Sequence, residues 1–305
     1  GEPADAVALA ERVLAIARPL GRHDLEGVAL NDLASLARDR GDLRLAFDLF
    51  GRSLAARRAA GDRGGEAAAL NNLGVVAQAL GDPAGARDFI RRALEVHRAV
   101  GDARRAATAQ LNLAELELEL GNAADARPLF ASAERGLLAA GDEWSAAYAT
   151  EGIGKCALAA GDAAGARSAF ERALAVVQRL GDKAAAADAM DYLARVALLE
   201  ARPDAAEALA GRSVEIRVAM NDEVGLAGSL EVKAAVVAHA DPARAAELLG
   251  CAAARRSSLG VAVPAPLRAD VERLGAELRR RLGDAAFEAA AAAGRGRPAA
   301  ELFAR

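Results

Sequence analysis

Aromatic residues make up only 3% of the 305 residues, with a single tryptophan and two tyrosines. A chain this poor in large rings does not build one thick core, although 53% of it is hydrophobic. Alanine and leucine carry that fraction, and alanine is the strongest helix former and lets helix axes approach closely. The expectation is an all-α protein held together by many thin interfaces. Cysteine is scarce too: Cys156 and Cys251 stand without a C-x-x-C partner or a nearby histidine, which argues against a disulfide framework and a metal or redox motif. His23, His97 and His239 lie far apart, without carboxylate or cysteine at ligand spacing. There is no basic excess: 39 basic against 43 acidic residues leave a net charge of −4, so nothing points to nucleic acid. Neither a secretory leader nor an apolar run of about 18 residues is visible, which reads as a soluble, cytoplasmic protein without a membrane partner. The first residue is Gly1 rather than methionine, as expected of a piece taken from a longer protein.

What the chain does have is a clock. Gly-Asp recurs at Gly41-Asp42, Gly61-Asp62, Gly81-Asp82, Gly101-Asp102, Gly141-Asp142, Gly161-Asp162 and Gly181-Asp182, with Gly121-Asn122 filling the gap. Glycine just past a helix end takes the left-handed conformation without a Cβ clash. Aspartate then caps the next helix by accepting from its free backbone N–H groups. Each block is thus one helix of roughly sixteen residues and a short turn.

The blocks alternate, so the full period is forty residues. In the B blocks a small residue recurs at Ala46, Ala86, Ala126, Ala166, Ala206 and Ala246. Four residues on come Phe50, Ile90, Phe130, Phe170, Ala210 and Gly250, and three further Ser53, Ala93, Ala133, Ala173, Ser213 and Ala253. That spacing puts all three on one helical face. The A blocks carry Leu33, Leu73, Leu113, Ile153 and Leu193, each followed by a small residue: Ala34, Gly74, Ala114, Gly154 and Ala194. The register is expected to hold without interruption to about Gly260.

These residues resemble the tetratricopeptide repeat, whose packing signature is visible in "LNNLGVVAQALGDPAGARDFIRRALEV". The period is longer than the common 34-residue form and closer to kinesin-light-chain-type and bacterial-regulator variants. The resemblance implies a right-handed superhelix, an α-α solenoid whose A helices line a concave face. Residues 1–20 read as a lone B helix of a truncated repeat, 21–260 as six forty-residue repeats, and 261–305 as a C-terminal helical cap over the last repeat. The end of the chain, "RAAELLGCAAARRSSLG" through "RRRLGDAAFEAAAAAGR", is similar to the C-terminal part of actinobacterial STAND-class ATPases and of LuxR- or SARP-type regulators. That likeness implies a sensor arm with an ATPase or effector domain upstream in cis. The alternative is a free-standing adaptor that scaffolds a protein complex.

No P-loop motif, no G-x-G-x-x-G between strand and helix and no isolated pair of acids occurs, so neither catalysis nor a cofactor is expected. "GRGRPAA" at Gly294 lacks the lysine and strand of a phosphate loop. What remains is a surface for a protein or peptide ligand, on the A-helix stripe opposite the packing face. Its expected members are Asn31, Asp32, Asn71, Asn72, Gln78, Asn112, Glu115, Trp144, Tyr148, Lys155, Tyr192 and Arg195. The asparagines sit in helix interiors, where each costs about 0.6 kcal/mol against alanine. Their amides suit an extended peptide backbone, or bridge adjacent A helices. Trp144, Tyr148 and Tyr192 are candidate aromatic anchors, or fillers between repeats.

Overall fold

The computed structural model describes residues 2–297. Among them are fifteen α-helices and no strand. A helix, α1 (Glu2–Ala17), precedes the pairs α2/α3 (His23–Asp39, Leu43–Ala59), α4/α5 (Arg63–Ala79, Pro83–Ala99) and α6/α7 (Ala103–Glu119, Ala123–Ala139). Then come α8/α9 (Glu143–Ala159, Ala163–Arg179), α10/α11 (Lys183–Leu199, Pro203–Met220) and α12/α13 (Glu223–Val237, Pro242–Leu259). Two further helices follow, α14 (Ala265–Leu282) and α15 (Asp284–Arg295); residues 298–305 of the expected cap, and with them the last three residues of the Gly294 stretch, lie outside the described residues. The chain divides into two compact units, residues 1–149 and 150–305. From α1 to α7 in the first unit and from α9 to α15 in the second, each helix packs on the next, the even-numbered ones through α12 being A helices and the odd-numbered ones through α13 B helices.

The turns follow from their sequence. Gly41 and Gly81 stand at φ +81° and +84°. The N–H groups of Gly41 and Asp42 return to Arg38 and Ala37, so the orphan carbonyls at the end of α2 are satisfied. Asp42, Asp62, Asp82, Asp102, Asp162, Asp182 and Asp222 each accept from the backbone N–H three residues on, a cap whose loss costs about 1 kcal/mol. Asn122 departs from this pattern. Its amide turns back to donate to Glu117 Oε2 at 2.9 Å, because Glu117 is buried and its pairing with Arg87 leaves acceptor capacity to fill.

The small-large-small rule is visible as close approach. A Cβ added at Gly74 would lie 2.4 Å from Ile90 Cγ1, and one at Gly154 would lie 2.7 Å from Phe170 Cε1. Phe50, Phe130 and Phe170 are fully buried, each contributing roughly 1.5–3 kcal/mol of apolar burial.

The register is not continuous to Gly260. The cap after α12 is Asp241, one residue early, and α13 starts at Pro242. The buried B-helix column therefore shifts to Ala245 and Ala252, leaving Ala253 exposed. Here α12 ends at Val237, two residues shorter than α10, and its connection without a left-handed glycine is only one residue longer, which removes one residue from the period. Gly250, displaced from its column, meets α15 instead: a Cβ there would lie 2.0 Å from the Ala291 carbonyl oxygen. Leu278, Phe287 and Ala291 of α14 and α15 join one apolar cluster with Leu248 and Cys251 of α13.

Candidate functional site

In the first unit the mid-helix asparagines form pairs between consecutive A helices. Asn72 Nδ2 donates to Asn31 Oδ1 at 3.1 Å, and Asn112 Nδ2 donates to Asn71 Oδ1 at 2.9 Å. All four are half-buried, and each pair uses one donor and one acceptor, so amide capacity remains on both members. About two turns further on, Gln78 Nε2 donates to Glu119 at 2.6 Å on an exposed part of the same helices. Asp32 is exposed and Glu115 half-buried. Trp144 and Tyr148 stack on each other, with ring centroids 6.1 Å apart and planes 2° from parallel, and remain 51% and 39% exposed.

In the second unit the expected residues have other partners. Lys155 pairs with Glu151 at 2.6 Å and lies 5.0 Å from the centre of the Tyr192 ring. Tyr192 stacks on Phe170 at 4.9 Å, so the ring is also core, and burial pushes its hydroxyl pKa up. Arg195 meets Asp270 of α14 at 3.5 Å.

Two constellations escaped the sequence reading. The first is a column of acids, Glu151, Asp191 and Glu231, all buried and one repeat apart. Glu231 takes two hydrogen bonds from Arg256, at 2.6 and 3.0 Å. Asp191 accepts from Ser229 at 2.6 Å, and Ser229 in turn meets Ser213 at 2.8 Å, while Asp191 Oδ1 meets no donor of the protein. Burial pushes the Asp191 carboxyl up to about 7, against the pull of the two serines and with Asp188 adding to the rise. The second is an arginine at the end of a B helix. Arg57 pairs with the helix cap Asp62 beside an open pocket of about 320 Å³ lined by Asn31, Arg57, Asp62, Gly64, Gly65, Ala68 and Arg105. The signal was available: Arg57, His97, Leu137, Val177 and Arg217 share one column, which a search for histidine ligands passed over. His97 itself is buried and its pKa is lowered by that burial.

Among the described residues no three His, Cys, Asp or Glu side chains converge to hold a metal, and no helix is long and apolar enough to cross a membrane.

No curated protein sequence matches the chain. Among solved structures, BtubC (BKLC) from P. vanneervenii is 25% identical and aligns over 72% of this chain and 93% of its own, with a TM-score of 0.64. A Rap protein complexed with Competence and Sporulation Factor is 17% identical over 88% of this chain and 73% of its own, with a TM-score of 0.67. A signal transduction ATPase with numerous domains from Pyrococcus horikoshii, carrying a tetratricopeptide repeat sensor, is 14% identical over 90% of this chain and 42% of its own, with a TM-score of 0.65. The last two likenesses are of fold alone. The tetratricopeptide repeat profile matches residues 1–59, 65–139 and 145–217, more than half of the chain. With the paired helices, the left-handed turns and the small-to-large packing columns described above, the chain belongs to the tetratricopeptide repeat family.

Proposed function

We propose that the chain is a non-catalytic recognition arm of a bacterial signal-transduction or transcription regulator, taking a protein or peptide on the face formed by its A helices. The observation that carries this reading is the pairing of Asn31 with Asn72 and of Asn71 with Asn112. Four amides held half-buried, with donors and acceptors to spare, form a rigid template for an extended backbone. In the second unit Lys155 and Tyr192 offer a cation and a ring on the corresponding helices. Two structural neighbours support the reading: the Rap protein held in a complex with its factor, and the ATPase whose sensor has this architecture.

The test is peptide binding. A peptide selected by display against the wild-type chain, measured by fluorescence polarisation, should bind the Asn72→Ala, Asn112→Ala double variant at least tenfold more weakly at unchanged helicity. Unchanged affinity would make the asparagines purely structural. For the regulatory context, the full reading frame should encode a nucleotide-switch domain upstream; a frame without one would refute the regulator.

The adaptor reading stays in view for one reason. The alignment with BtubC spans nearly all of that chain, whereas that with the ATPase spans less than half.

A further inference from the structure

The protein carries one arginine arrangement twice, four repeats apart, and completes it only once. In the second unit Arg217 lies at the end of α11 with its guanidinium over Gly225, where a Cβ would come within 2.6 Å of it. It pairs with two carboxylates: the cap Asp222 through Nη1 and, through Nη2, Asp188 on α10. In the first unit Arg57 occupies the matching place at the end of α3. Its stem crosses Gly27 and Gly65, where added Cβ atoms would lie 2.7 and 2.6 Å from Cδ. The cap Asp62 is present and paired. The second carboxylate is not, because the position matching Asp188 is Val28. Beside Arg57 lies the pocket of about 320 Å³.

The groups facing that pocket are donors. Asp62 is the exception, and both of its oxygens are used, Oδ1 by the Gly65 N–H at 2.8 Å and Oδ2 by Arg57. Asn31 accepts through Oδ1 from Asn72, which leaves its Nδ2 group for the pocket. Arg57 keeps the N–H groups that Asp62 does not take, and Arg105 also lines the pocket, with its Nη1 on Asp102 at 3.2 Å. Arg57 is paired with Asp62 and Arg105 with Asp102, so the charges balance, as they do for Arg217 with Asp222 alone. Arg217 in that state takes a second carboxylate, and the donor-rich site at Arg57 suits one as well, which a guanidinium binds in a planar fork.

We propose that Arg57 is a ligand anchor: with Asn31 and Arg105 it binds one carboxylate of a bound peptide, in the place that Asp188 fills for Arg217. The carboxylate is an acidic side chain or the peptide's C-terminus. The inference rests on the A-helix face being a peptide-binding surface, and adds to it the charge of the ligand at one point.

The experiment uses the whole chain labelled with 15N and follows the Arg57 Nε–H signal. The probes are N-acetyl-glutamate α-methylamide, which carries only a side-chain carboxylate, and N-acetyl-glycine, which carries only a terminal one. At least one should shift that signal saturably in the millimolar range, and the one that does identifies the source. Sodium chloride at equal ionic strength should not. Val28→Asp, which retains Arg57 and supplies the missing carboxylate from α2, should move the signal without any probe and weaken probe binding at least tenfold. Absence of a saturable shift with both probes, an equal shift with chloride, or undiminished binding to the Val28→Asp variant would overturn the anchor. A display-selected peptide that binds this variant as well as it binds the wild type, yet loses affinity to the Asn72→Ala, Asn112→Ala variant, would refute the anchor and leave the peptide-binding face standing.

Discussion

The two units put different chemistry into one helical column. In the first, the column holds Asn31 and Asn71, which are bridged by Asn72 and Asn112 from the next A helix. In the second it holds Glu151, Asp191 and Glu231, each with its own partner: Lys155, Ser229 and Arg256. An amide is donor and acceptor at once, so neutral neighbours satisfy each other across a helix pair. A buried carboxylate only accepts while ionised, so each must recruit a cation, a hydroxyl or a proton. The same scaffold therefore yields one unit in which this column holds neutral amides and one in which it holds carboxylates.

The difference should be largest at Glu231. Its pair with Arg256 is nearly closed to solvent, and removing one partner leaves a buried guanidinium that keeps, among the described residues, the Ala262 carbonyl at 3.1 Å. Glu231→Ala is expected to destabilise the second unit by about 3–5 kcal/mol. Hydrogen exchange should lose protection in α12 and α13 and keep it in α2 to α6. Uniform loss across both units would show that they do not unfold separately.

Acid should act on the two units in opposite directions. Asp191 titrates near 7 in the folded chain, against an ordinary value of 3.8. Between these values the folded state keeps a proton that the unfolded state has released, so this group's stabilisation is complete below about pH 4 and is lost as pH rises to 7. The change amounts to up to about 4 kcal/mol. In the first unit the shifted carboxylates go the other way. Arg18 holds Glu26 down, the Gly65 N–H and Arg57 hold Asp62, Arg87 holds Glu117, and Arg104 holds Asp142. Their contribution is present above the ordinary carboxylate range and disappears as pH falls through their lowered values. Hydrogen exchange at pH 8, 6 and 4 should show α10 to α12 tightening between pH 8 and 4, with the first unit loosening only below it. Asp191→Asn keeps the Ser229 bond and should remove the larger part of the second unit's response, leaving that of Asp188, which burial raises to about 6; a slope unchanged in that variant assigns the proton elsewhere.

The turns carry a smaller contrast between the units. Gly41, Gly61, Gly81, Gly101, Gly121 and Gly141 hold the left-handed position in the first unit, whereas in the second Gly161, Gly181 and Gly260 share it with Ala201 and Asn221, both at φ 54°. Asparagine tolerates that region, but alanine pays a Cβ clash of about 1–2 kcal/mol. Ala201→Gly should raise the second unit's stability by about 1 kcal/mol after the added freedom of the unfolded chain is set against it, visible as a higher melting temperature. Gly41→Ala should lower that of the first by a similar amount.

This contrast also marks where sequence was legible and where it was not. The turns could be read because glycine and aspartate act locally, within one helix end, and the packing columns because they repeat with the period. The slip at Asp241 was missed because no glycine marks the end of α12, although Asp241-Pro242 carries the same cap and first-turn proline as Asp82-Pro83, one residue ahead of the period. The asparagines could be found but not their pairing, since each partner lies 41 residues away and only the stacking of A helices brings the amides together. Arg57 and Arg217 were visible as one column, while the difference between them lies across the helix pair, in Val28 against Asp188.

The smallest effect separates the two meanings of the asparagines. Removing the Asn72 side chain loses one amide bond, worth about 0.5–1.5 kcal/mol, but the pair is half-buried and water can replace the donor on Asn31. Alanine at a helix interior returns about 0.6 kcal/mol of propensity. The net change for Asn72→Ala, and likewise for Asn112→Ala, is therefore expected within about 0.5 kcal/mol of zero by urea denaturation. By contrast, a loss above about 2 kcal/mol per site would mean that the amides are chiefly struts between A helices. A residue that costs the helix propensity, contributes nothing net to stability and keeps free donors toward the A-helix face has its justification in what binds there.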